Sequence, residues 1–127
     1  MSEHRTQILL LEDNPALAAS IEFALSTYGL KVIGPFHTNE EGLAAIDAEN
    51  VHVAILDLDL GHETSIATAE RLRRAGVPFL FMSGHELDEQ VPETYQNEVF
   101  LPKPIDPETL VESIEELLKP GNGPLTD

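Results

Sequence analysis

The sequence predicts an α/β protein, a doubly wound three-layer (βα)5 sandwich around a parallel five-stranded sheet. Four short apolar runs, at residues 7–11, 51–56, 79–82 and 99–101, have the continuous apolar character of strands buried on both faces. Segments with helical periodicity lie between them. This short alternation of strand and helix requires parallel strands joined by crossovers, which gives a doubly wound sheet covered on both faces.

A helix and a more polar strand are predicted between the first and second apolar runs. Residues 31–36 are more polar and contain Gly34 and Pro35, as an edge strand can. The helix before them begins with Asn14 as N-cap and Pro15 in the first turn, and Gly29 ends it. Its apolar residues recur at helical spacing: Leu17, Ile21, Ala24, Leu25 and Tyr28.

Three further helices are predicted from caps and apolar stripes. Thr38 and Glu41 match a capping box for a helix that carries Leu43 and Ile46. The next helix ends at Gly76 and has the stripe Ile66, Ala69 and Leu72. Asp106 and Pro107 open the last helix. Its apolar stripe consists of Leu110, Ile114, Leu117 and Leu118.

Two segments do not fit a regular element. Residues 85–97 contain few apolar residues and have Pro92 in their middle, so the fourth helix is predicted to be weak or irregular. We expect residues 86–97 to form an irregular or mobile segment. Residues 120–127 begin with Pro-Gly-Asn-Gly-Pro and are predicted to be a flexible tail after one domain at residues 1–119.

Composition excludes several classes of function. The 23 acidic residues against 7 basic ones give a formal charge of −16, which argues against binding to nucleic acid. The absence of cysteine excludes disulfides, thiolate zinc sites and thiol nucleophiles. Because the sequence contains neither a long apolar run nor a signal-peptide pattern, we expect no membrane association and a cytoplasmic location.

Polar residues follow four of the predicted strands: Glu12, Asp13, Asp57, Asp59, Ser83 and Lys103. Asp13, Ser83 or Lys103 alone could be a cap, turn or solvated residue, whereas Asp57 continues a buried strand with no turn residue beside it. Ligands of such sheets bind at the carboxyl ends of the strands. Carboxylates gathered there repel one another unless a cation such as Mg²⁺ joins them. Asp57 could then act as a nucleophile toward phosphorus, and Lys103 and Ser83 could stabilise the phosphoryl group.

These segments resemble the successive signatures of response-regulator receiver domains: LLLEDN at 9–14, ILDLDL at 55–60, MSG at 82–84 and LPKP at 101–104. The resemblance implies a sheet in the order 2-1-3-4-5. It also implies that Asp57 accepts a phosphoryl group from a histidine kinase or a phosphotransfer protein. Mg²⁺, with Mn²⁺ as a substitute, would be held by Glu12, Asp13, Asp57 and the backbone carbonyl of Asp59.

The resemblance assigns roles to the remaining residues. Lys103 would pair with the phosphoryl group, and the bond between it and Pro104 would be a cis peptide. Ser83 would bind a phosphoryl oxygen on activation, and Phe100 would be the switch aromatic. Phe100 has no hydroxyl, so its switching would depend on packing. Residues 78–85, PFLFMSGH, are also similar to the Pro-Phe-x-Phe-Ala-Thr-Gly-Tyr stretch of one class of single-domain receivers, with differences at Met82, Ser83 and His85.

The leading interpretation is a single-domain response regulator, a monomer or weak dimer, that switches partner binding and is not an enzyme. It could pass the phosphoryl group onward, act as a phosphate sink, or bind a partner through the face formed by the fourth helix, the fifth strand and the fifth helix. One alternative is a pseudo-receiver that binds partners without phosphorylation. Another is a phosphatase of the haloacid-dehalogenase type, because Asp57 and Asp59 fit its Asp-x-Asp motif, although the order of the acidic groups along the chain argues against it.

Overall fold

The computed structural model describes residues 5–84 and 91–119. The strands in these residues are β1 (Gln7–Leu11), β2 (Lys31–Phe36), β3 (Val53–Asp57), β4 (Phe79–Ser83) and β5 (Val99–Pro102). The α-helices are α1 (Pro15–Thr27), α2 (Asn39–Ala48), α3 (Ile66–Ala75) and α4 (Pro107–Leu118). All strand pairs are parallel, in the order β2-β1-β3-β4-β5. The predicted fold and strand order are confirmed.

The central strand β3 begins and ends later than the apolar run at residues 51–56 predicts. Its pairing with β1 starts where Ile8 faces Val53, so residues 51 and 52 belong to the preceding turn. At the other end the pairing with β4 continues to Asp57, which faces Met82. A carboxylate is therefore carried by the strand itself, in the middle of the sheet.

Alternate side chains of the strands pack on opposite faces of the sheet, as the two-residue repeat of a strand requires. Leu9 and Leu11 of β1 belong to a cluster completed by α2 and α3. Ile8 and Leu10 belong to a second cluster completed by α1 and α4. The sheet thus lies between two helical layers, and its carboxyl edge is the place where polar side chains can reach solvent.

The predicted caps form hydrogen bonds at the helix starts. The side chain of Asn14 accepts from the Leu17 N–H at 3.0 Å, and that of Thr38 accepts from the Glu41 N–H at 3.1 Å. The capping box is incomplete in one respect, because the Glu41 carboxylate accepts from the His37 N–H instead of the Thr38 N–H. Asp106 caps α4 in the same way as Asn14 caps α1.

One predicted apolar stripe is wrong in detail. Tyr28 is 51% exposed, because α1 ends at Thr27 and the tyrosine no longer follows the helical face. In α2, Leu43 and Ile46 are half-buried. The buried residues of α2 are Asn39, Gly42 and Ala45.

The described part of the segment between β4 and β5 has no α-helix. Residues 91–97 contain one short 3-10 turn, Glu93–Tyr95, which agrees with the predicted irregular fourth helix. Yet Val91 and Tyr95 are buried against the α2 and α3 face, which the sequence did not indicate. The rest of the segment, residues 86–90, and the predicted tail at 120–127 lie outside the described residues. In the described ranges no helix is both long and apolar enough to cross a bilayer.

Candidate functional site

A cleft of about 290 Å³ opens at the carboxyl edge of the sheet. It is lined by Glu12, Asp13, Asn14, Asp57, Leu58, Asp59, Gly61, Ser83, Gly84 and Lys103. All the polar residues that the strand-end pattern singles out are among them. The parallel sheet brings them together because each one follows or ends a strand at the same edge.

Asp57 lies at the floor of this cleft, 3% exposed, at the last position of β3. Its Oδ2 is 3.0 Å from Nζ of Lys103, and its Oδ1 accepts a hydrogen bond of 3.2 Å from the N–H of Asp59. Because β3 is paired on both sides, the backbone of Asp57 is fixed. The two hydrogen bonds fix the direction of its carboxylate as well.

Burial dominates the electrostatics of the cleft. It raises the pKa of Asp57 from 3.8 to about 7, against the hydrogen bond from Lys103 and with the help of the nearby Glu12 carboxylate. Burial also lowers the pKa of Lys103, but the hydrogen bond and charge of Asp57, together with Glu12, outweigh it and hold that pKa above 10.5. The ammonium is therefore firmly charged, while the buried Asp57 carboxyl keeps its proton up to a pH near its raised pKa of about 7.

The donor atoms around the cleft suit a divalent metal. Carboxylate oxygens of Glu12, Asp13 and Asp57 lie within 4.8 Å of one another. Glu12 is fully buried, and its Oε2 accepts from the Asn14 N–H at 3.0 Å. Its Oε1 forms an ion pair with Nζ of Lys103 at 3.2 Å, in a geometry that is not that of a hydrogen bond, so this buried oxygen has no hydrogen-bond donor. An all-oxygen set with such an atom fits a hard cation.

The loop between β3 and α3 forms one wall of the cleft and is attached to α2. Asn39 donates from its backbone N–H and its side-chain amide to the Glu63 carboxylate, at 3.1 and 3.0 Å. These two hydrogen bonds hold the pKa of Glu63 below its usual value. The sequence does not indicate this contact, because it joins residues 24 apart that share no repeat or motif.

Ser83, Phe100 and Pro104 occupy three different environments. Ser83 is the last residue of β4 and lies in the cleft wall. Phe100 is outside the cleft lining, and its ring stacks on that of Phe81 with a centroid distance of 5.1 Å. The peptide bond between Lys103 and Pro104 is cis. His85 lies outside the described residues.

A three-layer α/β domain with a buried aspartate, two further acidic residues and a lysine at one edge of its sheet is the arrangement of a two-component signalling domain. Accordingly, residues 8–115 match the family described as response regulator receiver domain. The chain belongs to this family. As a receiver domain it is a signalling domain and not an enzyme of the ordinary kind.

Individual relatives agree with this assignment. The chain is 27% identical to transcriptional regulatory protein GlrR of Escherichia coli over its whole length, but it spans only 29% of that protein. A receiver domain protein from Methanospirillum hungatei has a similar structure, with a TM-score of 0.80, 26% identity and coverage of 91% of this chain and 94% of the other. SdrG from Pseudomonas melonis, in its BeF3-activated conformation, has a TM-score of 0.75 and 32% identity, with coverage of 94% and 100%.

Proposed function

We propose that the chain is a phosphorylation-dependent switch in which Asp57 accepts a phosphoryl group from a histidine kinase or a phosphotransfer protein. Mg²⁺, or Mn²⁺ in its place, would be held by Glu12, Asp13, Asp57 and the backbone carbonyl of Asp59. The observation that carries the proposal is the Asp57 carboxylate, buried at a strand end 3.0 Å from an ammonium and within 4.8 Å of two other carboxylates. A purely structural role gives no reason to gather these charges in one cleft.

The proposed reaction is a phosphoryl transfer. An oxygen of Asp57 forms a bond to phosphorus while the bond from phosphorus to the imidazole nitrogen of the donor breaks, and that nitrogen keeps the electron pair. When bound, the metal supplies positive charge that keeps the Asp57 carboxylate ionised and offsets the phosphoryl oxygens. The chain's own residues have the remaining tasks of holding the nucleophile and receiving the new charge.

Lys103 and Ser83 are placed to receive that charge. Lys103 lies between the Asp57 and Glu12 carboxylates, so its ammonium can turn from Asp57 to a phosphoryl oxygen without leaving the cleft. Ser83 lines the same cleft from β4. A hydrogen bond from its hydroxyl to the phosphoryl group would draw the end of β4 toward Asp57.

The output of the switch would pass through β4 and β5. Ser83 faces Pro102 across these two strands, and Phe100 of β5 stacks on Phe81 of β4. A shift at Ser83 can therefore reach the Phe100 ring through packed side chains. Two alternative packings of this ring would be the two states of the switch. The downstream partner would be a protein that binds the surface including β5 and α4. SdrG, a similar chain, has been described in a BeF3-activated conformation.

The test is the intact mass of the full chain after incubation with acetyl phosphate or phosphoramidate, with Mg²⁺ or with a chelator. Phosphoramidate provides the phosphorus–nitrogen bond of a phosphohistidine. We expect one added phosphoryl group that needs the metal. Asp57→Asn should abolish the addition.

Asp59→Asn is the matched control, because the Asp59 carboxylate is exposed and the residue would contribute only its backbone carbonyl. This variant should be phosphorylated like the wild type. Labelling of Asp57→Asn at the native rate would show that another residue accepts the phosphoryl group. No labelling of the wild type by either donor or by a histidine kinase would favour the pseudo-receiver.

A further inference from the structure

The loop after Asp57 is folded back on itself. Asp59 and Thr64 form an antiparallel bridge, and the Leu60 N–H donates to the Glu63 carbonyl at 2.8 Å. Gly61 turns the chain between them with a φ of 101°, a left-handed conformation that favours glycine. The backbone of Asp59 is therefore held by the returning strand of the loop, Glu63 and Thr64, as well as by β3.

Asn39, the first residue of α2, holds the returning strand by hydrogen bonds from that helix. Its side-chain amide donates to the Thr64 carbonyl at 2.7 Å and to the Glu63 carboxylate at 3.0 Å. Its Oδ1 accepts from the hydroxyl of Thr68 at 2.6 Å and from the Thr68 N–H at 3.2 Å. All the hydrogen-bonding positions of this buried amide are thus occupied, which fixes the orientation of the side chain.

A continuous path connects this amide to the proposed phosphorylation site. Asn39 binds Thr64, Thr64 is the bridge partner of Asp59, and the Asp59 N–H donates to Oδ1 of Asp57. The same path sets the place of the Asp59 backbone carbonyl. A change at Asn39 would therefore reach two of the groups assigned to the metal without touching either of them.

We propose that Asn39, together with Glu63, is a positioning residue that sets the affinity of the cleft for Mg²⁺. The inference rests on the proposed function, because it concerns the same site. Loss of Asn39 frees the returning strand of the loop, so the Asp57 carboxylate and the Asp59 carbonyl lose their fixed arrangement. Groups that orient metal ligands typically change affinity about 10- to 100-fold when removed.

The experiment measures Mg²⁺ binding to the full chain by calorimetry, with the melting temperature of each variant determined in chelator. Asn39→Ala should weaken Mg²⁺ binding about 10-fold or more, and Glu63→Ala should weaken it several-fold. The double variant should lose no more than Asn39→Ala alone, because both changes break one path. Phosphorylation by acetyl phosphate should recover at high Mg²⁺, with the half-saturating concentration raised.

Thr38→Ala is the matched control. Thr38 is the N-cap of α2, and its side chain accepts a hydrogen bond from the Glu41 N–H. Among the hydrogen bonds of the described residues, this side chain has none to the loop. This variant should lower the melting temperature and leave Mg²⁺ affinity unchanged. If Asn39→Ala destabilises the fold too much for titration, Glu63→Ala decides, because Glu63 lies outside the core.

The outcomes separate the two proposals. Wild-type Mg²⁺ affinity in both Asn39→Ala and Glu63→Ala would overturn the positioning role while leaving the proposed function intact. Equal losses of affinity in Thr38→Ala and Asn39→Ala would also overturn it, since helix stability alone would then explain both. A folded wild type that binds no Mg²⁺ would overturn the proposed function, and the positioning role with it.

Discussion

The interior of the sheet and the cleft at its carboxyl edge use the same strands for opposite purposes. In β3, the residues from Val53 to Leu56 are apolar and fully buried between two helical layers. The next residue, Asp57, is almost as buried but carries a carboxylate whose pKa is raised to about 7. One step along the strand, burial changes from a stabilising contribution to a cost.

This difference separates the residues that stabilise the fold from those suited to binding a ligand. Burying apolar surface contributes roughly 25 cal/mol per Å², whereas burying a carboxylate beside a second one lowers stability. A protein selected only for stability would not place Asp57 and Glu12 in contact with the same lysine. Substitutions in the interior should therefore reduce stability and spare ligand affinity, whereas removal of a buried carboxylate of the cleft should raise stability and reduce ligand affinity.

The largest expected effect is in the interior. Phe81 is fully buried and contacts the rings of Phe79, Tyr95 and Phe100. Phe81→Ala removes these contacts and leaves a cavity, so we expect a loss of about 3–5 kcal/mol in the free energy of unfolding. Urea denaturation followed by circular dichroism measures it. A loss below about 1 kcal/mol would contradict the division between interior and cleft.

The next largest effect is a gain in stability, caused by a substitution in the cleft. Between pH 3.8 and about 7 folded Asp57 keeps a proton that the unfolded chain releases, so the stability of the metal-free protein should fall as pH rises across this range. Asp57→Asn removes the buried charge. In chelator at pH 8 it should therefore raise the free energy of unfolding by about 2 kcal/mol, with little difference from wild type near pH 4.

Two controls test the cause of that gain. Asp59→Asn changes an exposed carboxylate in the same loop and should leave stability nearly unchanged. Addition of Mg²⁺ should stabilise the wild type and not Asp57→Asn, since a ligand that binds only the folded state raises its stability. A variant Asp57→Asn that is less stable than the wild type at pH 8 in chelator would show that Asp57 is a structural residue.

Most of the fold and the cleft could be predicted from the sequence because both follow from simple periodic rules. The apolar runs identify the strands, and the parallel order places Asp13, Asp57 and Lys103 at one edge. Tyr28 shows the limit of periodicity, because the stripe continues in the sequence after the helix has ended. The metal and phosphoryl roles of these residues stay predictions.

Contacts between distant segments without a repeat could not be predicted. Asn39 and Glu63 are 24 residues apart, and each alone has the appearance of a solvated polar residue. Val91 and Tyr95 lie in a segment whose composition indicated little burial, yet both are core residues. Their burial depends on the space left beside α3, and no local sequence pattern predicts that space.

The smallest expected effect concerns Arg73 of α3, which holds the segment before β5. Its guanidinium lies 4.1 Å from the centroid of the Tyr95 ring, donates to the Thr94 carbonyl at 3.1 Å and pairs with the Glu98 carboxylate. The side chain is partly exposed, so solvent screens its charge. Arg73→Met should lower the free energy of unfolding by about 1 kcal/mol in urea denaturation.

Arg71→Met is the matched control, because Arg71 on the same helix pairs only with the exposed Asp47 among the contacts in the described residues, at 3.0 Å. Its loss should stay below about 0.5 kcal/mol. The Mg²⁺ affinity of Arg73→Met decides to which region the segment belongs. Unchanged affinity places it with the interior, as the packing of Tyr95 on Phe79 and Phe81 indicates. Weakened affinity would connect it to the cleft, and stability and ligand affinity would then not be separable along β4 and β5.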